Sequence, residues 1–292
     1  MATIRNTIRV IIPGYGQPHA DKKQAIFNSN ITLLAQTCPP GNTLDVHVHI
    51  YDDTNVPQDP IIPDVNPDVT LTIHREPGIV GEFIGKHASA LQAANSQPEP
   101  QAKPTHILML LDDVELQPSF NLAQAIQIQE YCLLNILSPT LTDESATFYP
   151  YMRSSYGPLF SVGAAPPASQ LPPGNAAHPP LVPLVPLVRI TSACEMFCYL
   201  MPTPSFMAWC AHLDPANPWL WGMDLLLTYK FKFRVGMVPF MTATHHFQSL
   251  CYDAHPDIKP FERFHAYLAK YGETQESLSH LPAIVTTVPL IT

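Results

Sequence analysis

Acids and histidines gathered at the ends of apolar runs are where this sequence could do chemistry. The densest group is HILMLLDDVELQPSF at 106–120, a hydrophobic run that delivers Asp112, Asp113 and Glu115 together. Carboxylates crowded at the edge of a buried strand repel one another and lose solvation, so they are costly unless a cation offsets them. Their hard oxygens suit Mg2+ or Mn2+, which in turn hold a substrate diphosphate. The competing reading is a polar turn with helix-capping aspartates. A later run, FMTATHHF at 240–247, closes on His245 and His246. A neutral imidazole can complete a Mn2+ shell beside a carboxylate and diphosphate oxygens. A strand points consecutive residues to opposite faces, so only one of the pair should reach such a metal; the sequence leaves open which.

Three further segments carry candidate residues. In HREPGIVGEFIGKH at 74–87, Gly78 and Gly81 permit close backbone approach, and Arg75 or Lys86 could neutralise a diphosphate. A strand-to-helix turn with solvated basic residues is the alternative. In NPWLWGMDLLL at 217–227, Trp219 and Trp221 could stack on the apolar C–H face of a sugar. Equally, both tryptophans belong in a core and Asp224 caps a helix. In TSACEMFCYL at 191–200, Glu195 sits among apolar residues and needs a partner. It is a candidate for binding a ligand's hydroxyls, or for a nucleophile or acid/base; a strand-edge salt bridge is the alternative.

The elements that must position these residues follow from periodicity. Strands are predicted over 4–12, 44–51, 69–74 and 106–111, and helices over 21–37 and 80–95. The turn Pro13-Gly14-Tyr15-Gly16 ends the first strand, and Asp52-Asp53 follow the second. This alternation predicts a mixed, mostly parallel sheet flanked by helices, with ligands bound beyond the carboxyl ends of its strands. Downstream, a helix is expected over 119–137, one or two strands over 187–201, a helix from Thr203-Pro204, a helix over 222–231 and a strand over 235–242. Ten prolines between 150 and 186 exclude a regular helix or central strand there and predict a stiffened loop near the cleft.

On these motifs the chain resembles the GT-A-fold glycosyltransferases, the class that uses nucleotide sugars. The opening VIIPGYGQP at 10–18, the acids Asp52 and Asp53 after the second strand, and Asp112-Asp113-Val114-Glu115-Leu116-Gln117-Pro118 are similar to that family's landmarks. Leu111 stands where a common register has the first acid of D-x-D. The resemblance implies one domain over 1–292: a Rossmann-like nucleotide-sugar-binding half at 1–118, an acceptor-side half at 119–250 with the proline-rich loop, and a C-terminal helix and tail at 251–292. It implies a metal-dependent transfer of a sugar from a nucleotide diphosphate-sugar to a glycan or other hydroxyl acceptor. Pro13, Tyr15, Asp52, Asp53, Arg75, Gly78, Gly81, Lys86 and Asp112 would contact the donor, with Asp52 or Asp53 on its base or ribose. Asp113, Glu115 and one of His245 and His246 would hold Mn2+ or Mg2+. Asp224 resembles the catalytic base of inverting members, Glu195 would act if configuration is retained, and Trp219 and Trp221 would face the carbohydrate acceptor.

Composition narrows the field around this reading. The 292 residues include 33 prolines, 46% hydrophobic residues and only 13% charged ones. There is ample material for a core, so charged-type disorder is excluded, as is collagen, with 12 glycines, and the frequent prolines argue against a mostly helical bundle. A net charge of −9 argues against a nucleic-acid partner, which calls for basic patches. The six cysteines show no CxxC pair and read as reduced thiols. No signal peptide, anchor or membrane span is readable, so a cytoplasmic location is expected. That suits a bacterium or a large virus that glycosylates in the cytosol. The phosphate-loop, G-x-S-x-G and HExxH motifs are absent, and His19 replaces the third glycine of a dinucleotide fingerprint. Two other functions remain compatible with the acids: a metal-dependent hydrolase or nucleotidyltransferase, and a non-catalytic carbohydrate-binding or virion-type protein. Donor sugar, acceptor, stereochemistry and oligomeric state are not encoded legibly.

Overall fold

Apolar residues on both faces of the early strands dictate a sheet covered from two sides. The computed structural model describes residues 6–15, 20–50, 60, 68–96, 103–147, 149–156, 160–162, 184–246, 259–281 and 283–290. The strands are β1 (Thr7–Tyr15), β2 (Thr43–Ile50), β3 (Val69–Arg75), β4 (Pro104–Leu110), β5 (Val114–Leu116), β6 (Ile136–Leu141), β7 (Phe160–Val162), β8 (Leu184–Thr191), β9 (Cys198–Pro202), β10 (Val235–His245) and β11 (Ile284–Pro289). The helices are α1 (Ala20–Thr37), α2 (Val80–Asn95), α3 (Leu122–Tyr131), α4 (Thr203–Cys210), α5 (Met223–Leu226), α6 (Pro260–Lys270) and α7 (Gln275–Ser279). The sheet order is β11-β8-β10-β6-β9-β4-β1-β2-β3, with β5 added to β10 and β7 to β8. Strands β3, β2, β1 and β4 run parallel; β9 is antiparallel between β4 and β6; β6 and β10 are again parallel. The mixed, mostly parallel sheet flanked by helices is therefore the architecture that the alternation predicted.

Fully buried Ile8, Val10, Ile107 and Leu108 in the central strands, with Phe27, Ile31 and Leu34 of α1 and Phe83 and Ile84 of α2, make the core of the first half. The downstream elements depart from the sequence reading in instructive ways. Strand β1 runs on through Pro13 rather than stopping there, because a register shift between Pro13 and Tyr15 accommodates the missing N–H. The helix expected over 119–137 is capped by Asn121, whose side chain accepts from the Gln124 N–H, and ends at Tyr131. Leu133, at φ 51, turns the chain into β6. That strand is buried throughout despite Pro139, which faces a register shift in β10 where Pro239 also sits. The Thr140 hydroxyl, able to donate to only one carbonyl at a time, lies 3.1 and 3.3 Å from the carbonyls of Pro239 and Met241 there.

The helix expected over 222–231 is limited to α5, between Gly222 at φ 76 and Lys232 at φ 62. The tail contributes α6 and α7, and also β11, which pairs antiparallel with β8. Most of the proline-rich stretch lies outside the described residues. Its ends carry a 3-10 turn at Pro150–Met152, strand β7 and the first turns of β8. Among the described residues no helix is long and apolar enough to cross a membrane.

Candidate active site at the carboxyl edge of the sheet

Parallel strands deliver their last residues to one edge, and the candidate residues collect there. Strand β4 ends at Leu110 and leads into Asp112 and Asp113; β10 ends at His245. β5 doubles back antiparallel on β10, setting Val114 opposite His245 and Glu115 opposite Thr244. The three acids of the cluster then separate. Asp112 turns toward α1, where its carboxylate meets Lys23 Nζ at 2.6 Å, both side chains about one-tenth exposed. Asp113 faces His245, Oδ2 to Nε2 at 3.3 Å. Glu115 accepts at 2.8 Å from His246 Nε2 near the surface.

The Asp113–His245 pair is organised in a way that suits a metal. His245 Nδ1 lies 2.7 Å from the Ala146 carbonyl, which only accepts, so the Nδ1 proton is held there. In a neutral ring the lone pair is then on Nε2, toward Asp113. The Phe197 ring covers the imidazole at 4.4 Å between centroids. Asp113 Oδ1 is buried and has no hydrogen-bond partner. An orphaned carboxylate oxygen beside an imidazole lone pair is a donor set that fits Mn2+ or Mg2+. Burial works against charging His245, but the Asp113 carboxylate and the Ala146 carbonyl outweigh it and raise its pKa.

A segment following β6 connects this pair to the other acids. The Ala146 carbonyl holds His245, the Thr147 hydroxyl donates to Glu195 at 3.0 Å, and the Tyr149 hydroxyl donates to Asp224 at 2.8 Å. Glu195 reaches the edge because it precedes antiparallel β9. Burial pushes the Asp224 carboxyl up to about 6, with the Tyr149 hydroxyl and the backbone at residues 224 and 225 pulling the other way. A carboxyl titrating just below neutrality can take a proton from a hydroxyl. Tyr149 is itself raised by burial and by Asp224, stays protonated, and stacks on Tyr151. Nothing in the sequence distinguished Thr147 or Tyr149; a Thr-x-Tyr after a buried strand is common, and only the fold supplies its partners.

The loop bearing Trp219 and Trp221 docks on the first turn of α2. The Gly81 N–H donates to the Pro218 carbonyl at 2.8 Å, and a Cβ at Gly81 would lie 2.7 Å from that oxygen. Asn217 clasps the backbone of Trp221 in both directions, and the two tryptophans are half-buried. The close approach that Gly81 permits is thus to this loop, and that of Gly78 is to the Phe83 ring. Lys86 pairs with Glu76 at 2.8 Å on the surface, and Arg75 is exposed at the end of β3. Pro13 and Tyr15 are buried; the Tyr15 hydroxyl donates to Gln24 at 3.2 Å and its pKa is pushed up to about 12 by burial and by Asp112. Asp52 and Asp53 lie outside the described residues.

A second concentration of titratable groups lies two strands away. His47 and His49 on β2, His74 on β3 and His87 on α2 converge under that helix, with Asp45 and Glu76 beside them. The H-x-H alternation of β2 was visible in the sequence, but not its convergence with His74 and His87.

No family model matches the chain, and no curated protein sequence matches it. Among solved structures, a crystal structure of GalNAc-T7 with UDP, GalNAc and Mn2+ superposes with a TM-score of 0.51 at 9% identity. The match covers 85% of this chain and 44% of that one, so this chain spans less than half the length of its structural neighbour. A crystal structure of A197 from STIV covers 83% of this chain and 86% of that one, at a TM-score of 0.39 and 9% identity. At such identity the first likeness speaks for the fold alone, and the fold is GT-A-like.

Proposed function

We propose that this chain is a metal-dependent glycosyltransferase that moves a sugar from a nucleotide diphosphate-sugar to a hydroxyl acceptor. The observation that carries the reading is the Asp113–His245 pair, with its orphaned carboxylate oxygen, at the carboxyl edge of a GT-A-like sheet. The neighbour that shares this fold was crystallised with UDP, GalNAc and Mn2+, which makes a nucleotide sugar the donor of choice.

Asp113 Oδ1 and His245 Nε2 would hold Mn2+ or Mg2+, with Glu115 the nearest further acid along β5. The ion supplies Lewis-acid stabilisation of a departing nucleoside diphosphate. The Ala146 carbonyl keeps the His245 proton on Nδ1, away from the ion. Asp224 accepts the acceptor's hydroxyl proton, and Tyr149 keeps enough of it ionised to do so at pH 7. Trp219 and Trp221 offer stacking surface for the acceptor ring, and Thr147 holds Glu195 where a second hydroxyl can meet it. Asp52 or Asp53 would contact the base or ribose.

The test is thermal melting and donor hydrolysis across UDP- and GDP-sugars with and without Mn2+. Stabilisation by nucleotide plus Mn2+ and metal-dependent release of sugar are expected, because a ligand that binds the native state raises its stability. Asp113→Asn and His245→Gln should remove both while the protein stays folded. Full activity in Asp113→Asn, or metal-dependent cleavage of diphosphates with no preference for a sugar nucleotide, would overturn the assignment.

A further inference from the structure

Histidines on three different elements rarely meet ring to ring without a reason. His47 Nδ1 and His74 Nε2 are 2.9 Å apart, and His49 Nε2 and His87 Nε2 are 2.8 Å apart. His47, His74 and His87 each bring one ring nitrogen within 4.8 Å of the others, and His49, His74 and Glu76 form an overlapping group that shares His74. The register explains the convergence: His49 lies opposite His74 across the β2–β3 pair, His47 shares their face two residues earlier, and α2 lowers His87 onto them. His49 is sandwiched between the rings of His74, at 4.3 Å, and Phe83, at 4.5 Å.

We propose that His47, His74 and His87 form a site for a borderline transition-metal ion, Zn2+ in the first instance, distinct from the Asp113–His245 edge, with His49 packed beside it. Imidazole-rich sets suit Zn2+, Cu2+ and Ni2+, whereas Mg2+ and Mn2+ favour carboxylate and water oxygens. The proton inventory fits a ligand shell. The Asp45 carboxylate, gripped at 2.8 Å by Arg9, lies 3.0 Å from His47 Nε2 and draws the ring proton there. That leaves the lone pair of His47 on Nδ1, toward His74. A carboxylate behind a histidine is the usual way a metal ligand's tautomer is set.

His49 is 1% exposed, and its Nδ1 has no hydrogen-bond partner, the nearest Glu76 oxygen being 3.8 Å away. That nitrogen lies toward Glu76, while Nε2 of the same ring is the one that meets His87. Burial and the neighbouring rings push His49 down to about 3 and His87 down to about 2, and lower His74, so these rings are neutral and carry lone pairs at physiological pH. The present nitrogen pairs are closer than a metal shell needs. Zn–N bonds of about 2.0–2.1 Å in a tetrahedron set ligand nitrogens roughly 3.3 Å apart. Loading therefore requires the His47–His74 pair to open by about half an ångström and His87 to move to a similar spacing, and half-buried His47 and His74 have the freedom to do so. A bound ion would tie β2, β3 and α2 together.

The experiment uses the full chain, stripped with a chelator and titrated with Co2+ and then Zn2+. Visible Co2+ absorption of the tetrahedral, nitrogen-rich kind is expected, displaced by Zn2+, together with a rise in melting temperature. His74→Gln, at a half-exposed position, should abolish the spectrum without unfolding the protein, and His47→Ala should weaken it at least tenfold. Asp113→Asn should bind Co2+ at this site as wild type does, even where Mn2+ and nucleotide binding is lost. No Co2+ spectrum and no melting shift in folded wild type would overturn the proposal. So would a spectrum that survives His74→Gln but vanishes in Asp113→Asn.

Discussion

Replacing Tyr149 with Phe tests whether Asp224 is tuned for proton transfer. The change deletes one hydroxyl and keeps the ring that stacks on Tyr151. In the native protein that hydroxyl donates at 2.8 Å to Asp224 Oδ2 and offsets part of the burial that raises the carboxyl to about 6. A hydrogen bond to a charged group contributes roughly 1.5–3 kcal/mol, and one pKa unit corresponds to about 1.4 kcal/mol. Solvent reaching the half-buried carboxyl trims the effect, so a rise of about one unit is expected, to roughly 7. The ionised fraction at pH 7 would then fall from about nine-tenths to about one-half. The assay is the pH dependence of kcat/KM for sugar transfer or donor hydrolysis between pH 5 and 9. The variant should equal wild type near pH 9, run about twofold slower at pH 7 and about tenfold slower at pH 5. Carbon NMR of labelled aspartate would read the same shift without turnover. A uniform loss at every pH, or an unmoved acid limb in a folded variant, would refute the reasoning.

Asp224→Asn should abolish transfer yet stabilise the protein. The carboxyl rises from 3.8 to about 6 on folding, so this group's contribution to stability is fully present below pH 4 and is lost as pH climbs through 6. The variant should gain about 1–3 kcal/mol at pH 7 and nothing at pH 4, as read by chemical denaturation. Lys23→Met should lower stability by removing the 2.6 Å ion pair to Asp112, and Lys23→Met with Asp112→Leu should recover part of the loss, as read by chemical denaturation. Gly81→Ala should drive a methyl into the Pro218 carbonyl, lowering stability by about 1–3 kcal/mol and weakening acceptor binding more than donor binding, as read by separate KM values.

Local signals were legible where one element decides its own fate. Residues 80–95 form a helix over the bounds that periodicity sets, and the apolar run before Asp112 is a central buried strand. The sequence also pointed to the carboxyl edge of the parallel strands for Asp112, Asp113 and Glu115; that Glu195 and Asp224 lie beside them, tied through Thr147 and Tyr149, rests on the fold. It could not apportion the three acids: Lys23 of α1 claims Asp112, and no spacing rule relates residue 23 to residue 112. Nor could it tell the histidines apart: His245 faces Asp113 with its Nδ1 held by the Ala146 carbonyl, while His246 faces Glu115. Strand β6 was hidden because Pro139 reads as a strand breaker until the matching irregularity in β10 is in view. The four-histidine cluster depends on strand register and helix docking together, and neither is a local property.

The placement of β9 has a kinetic consequence. It lies antiparallel between β4 and β6, yet follows both in the chain, so those strands cannot settle until residues 198–202 are in place. The contact between Glu115 and His246 closes a span of 131 residues. Contacts of such long range slow the search for the native state. The acid–histidine edge should therefore be among the last parts to form during refolding, and Mn2+ added to refolding chains should report the final phase rather than the collapse.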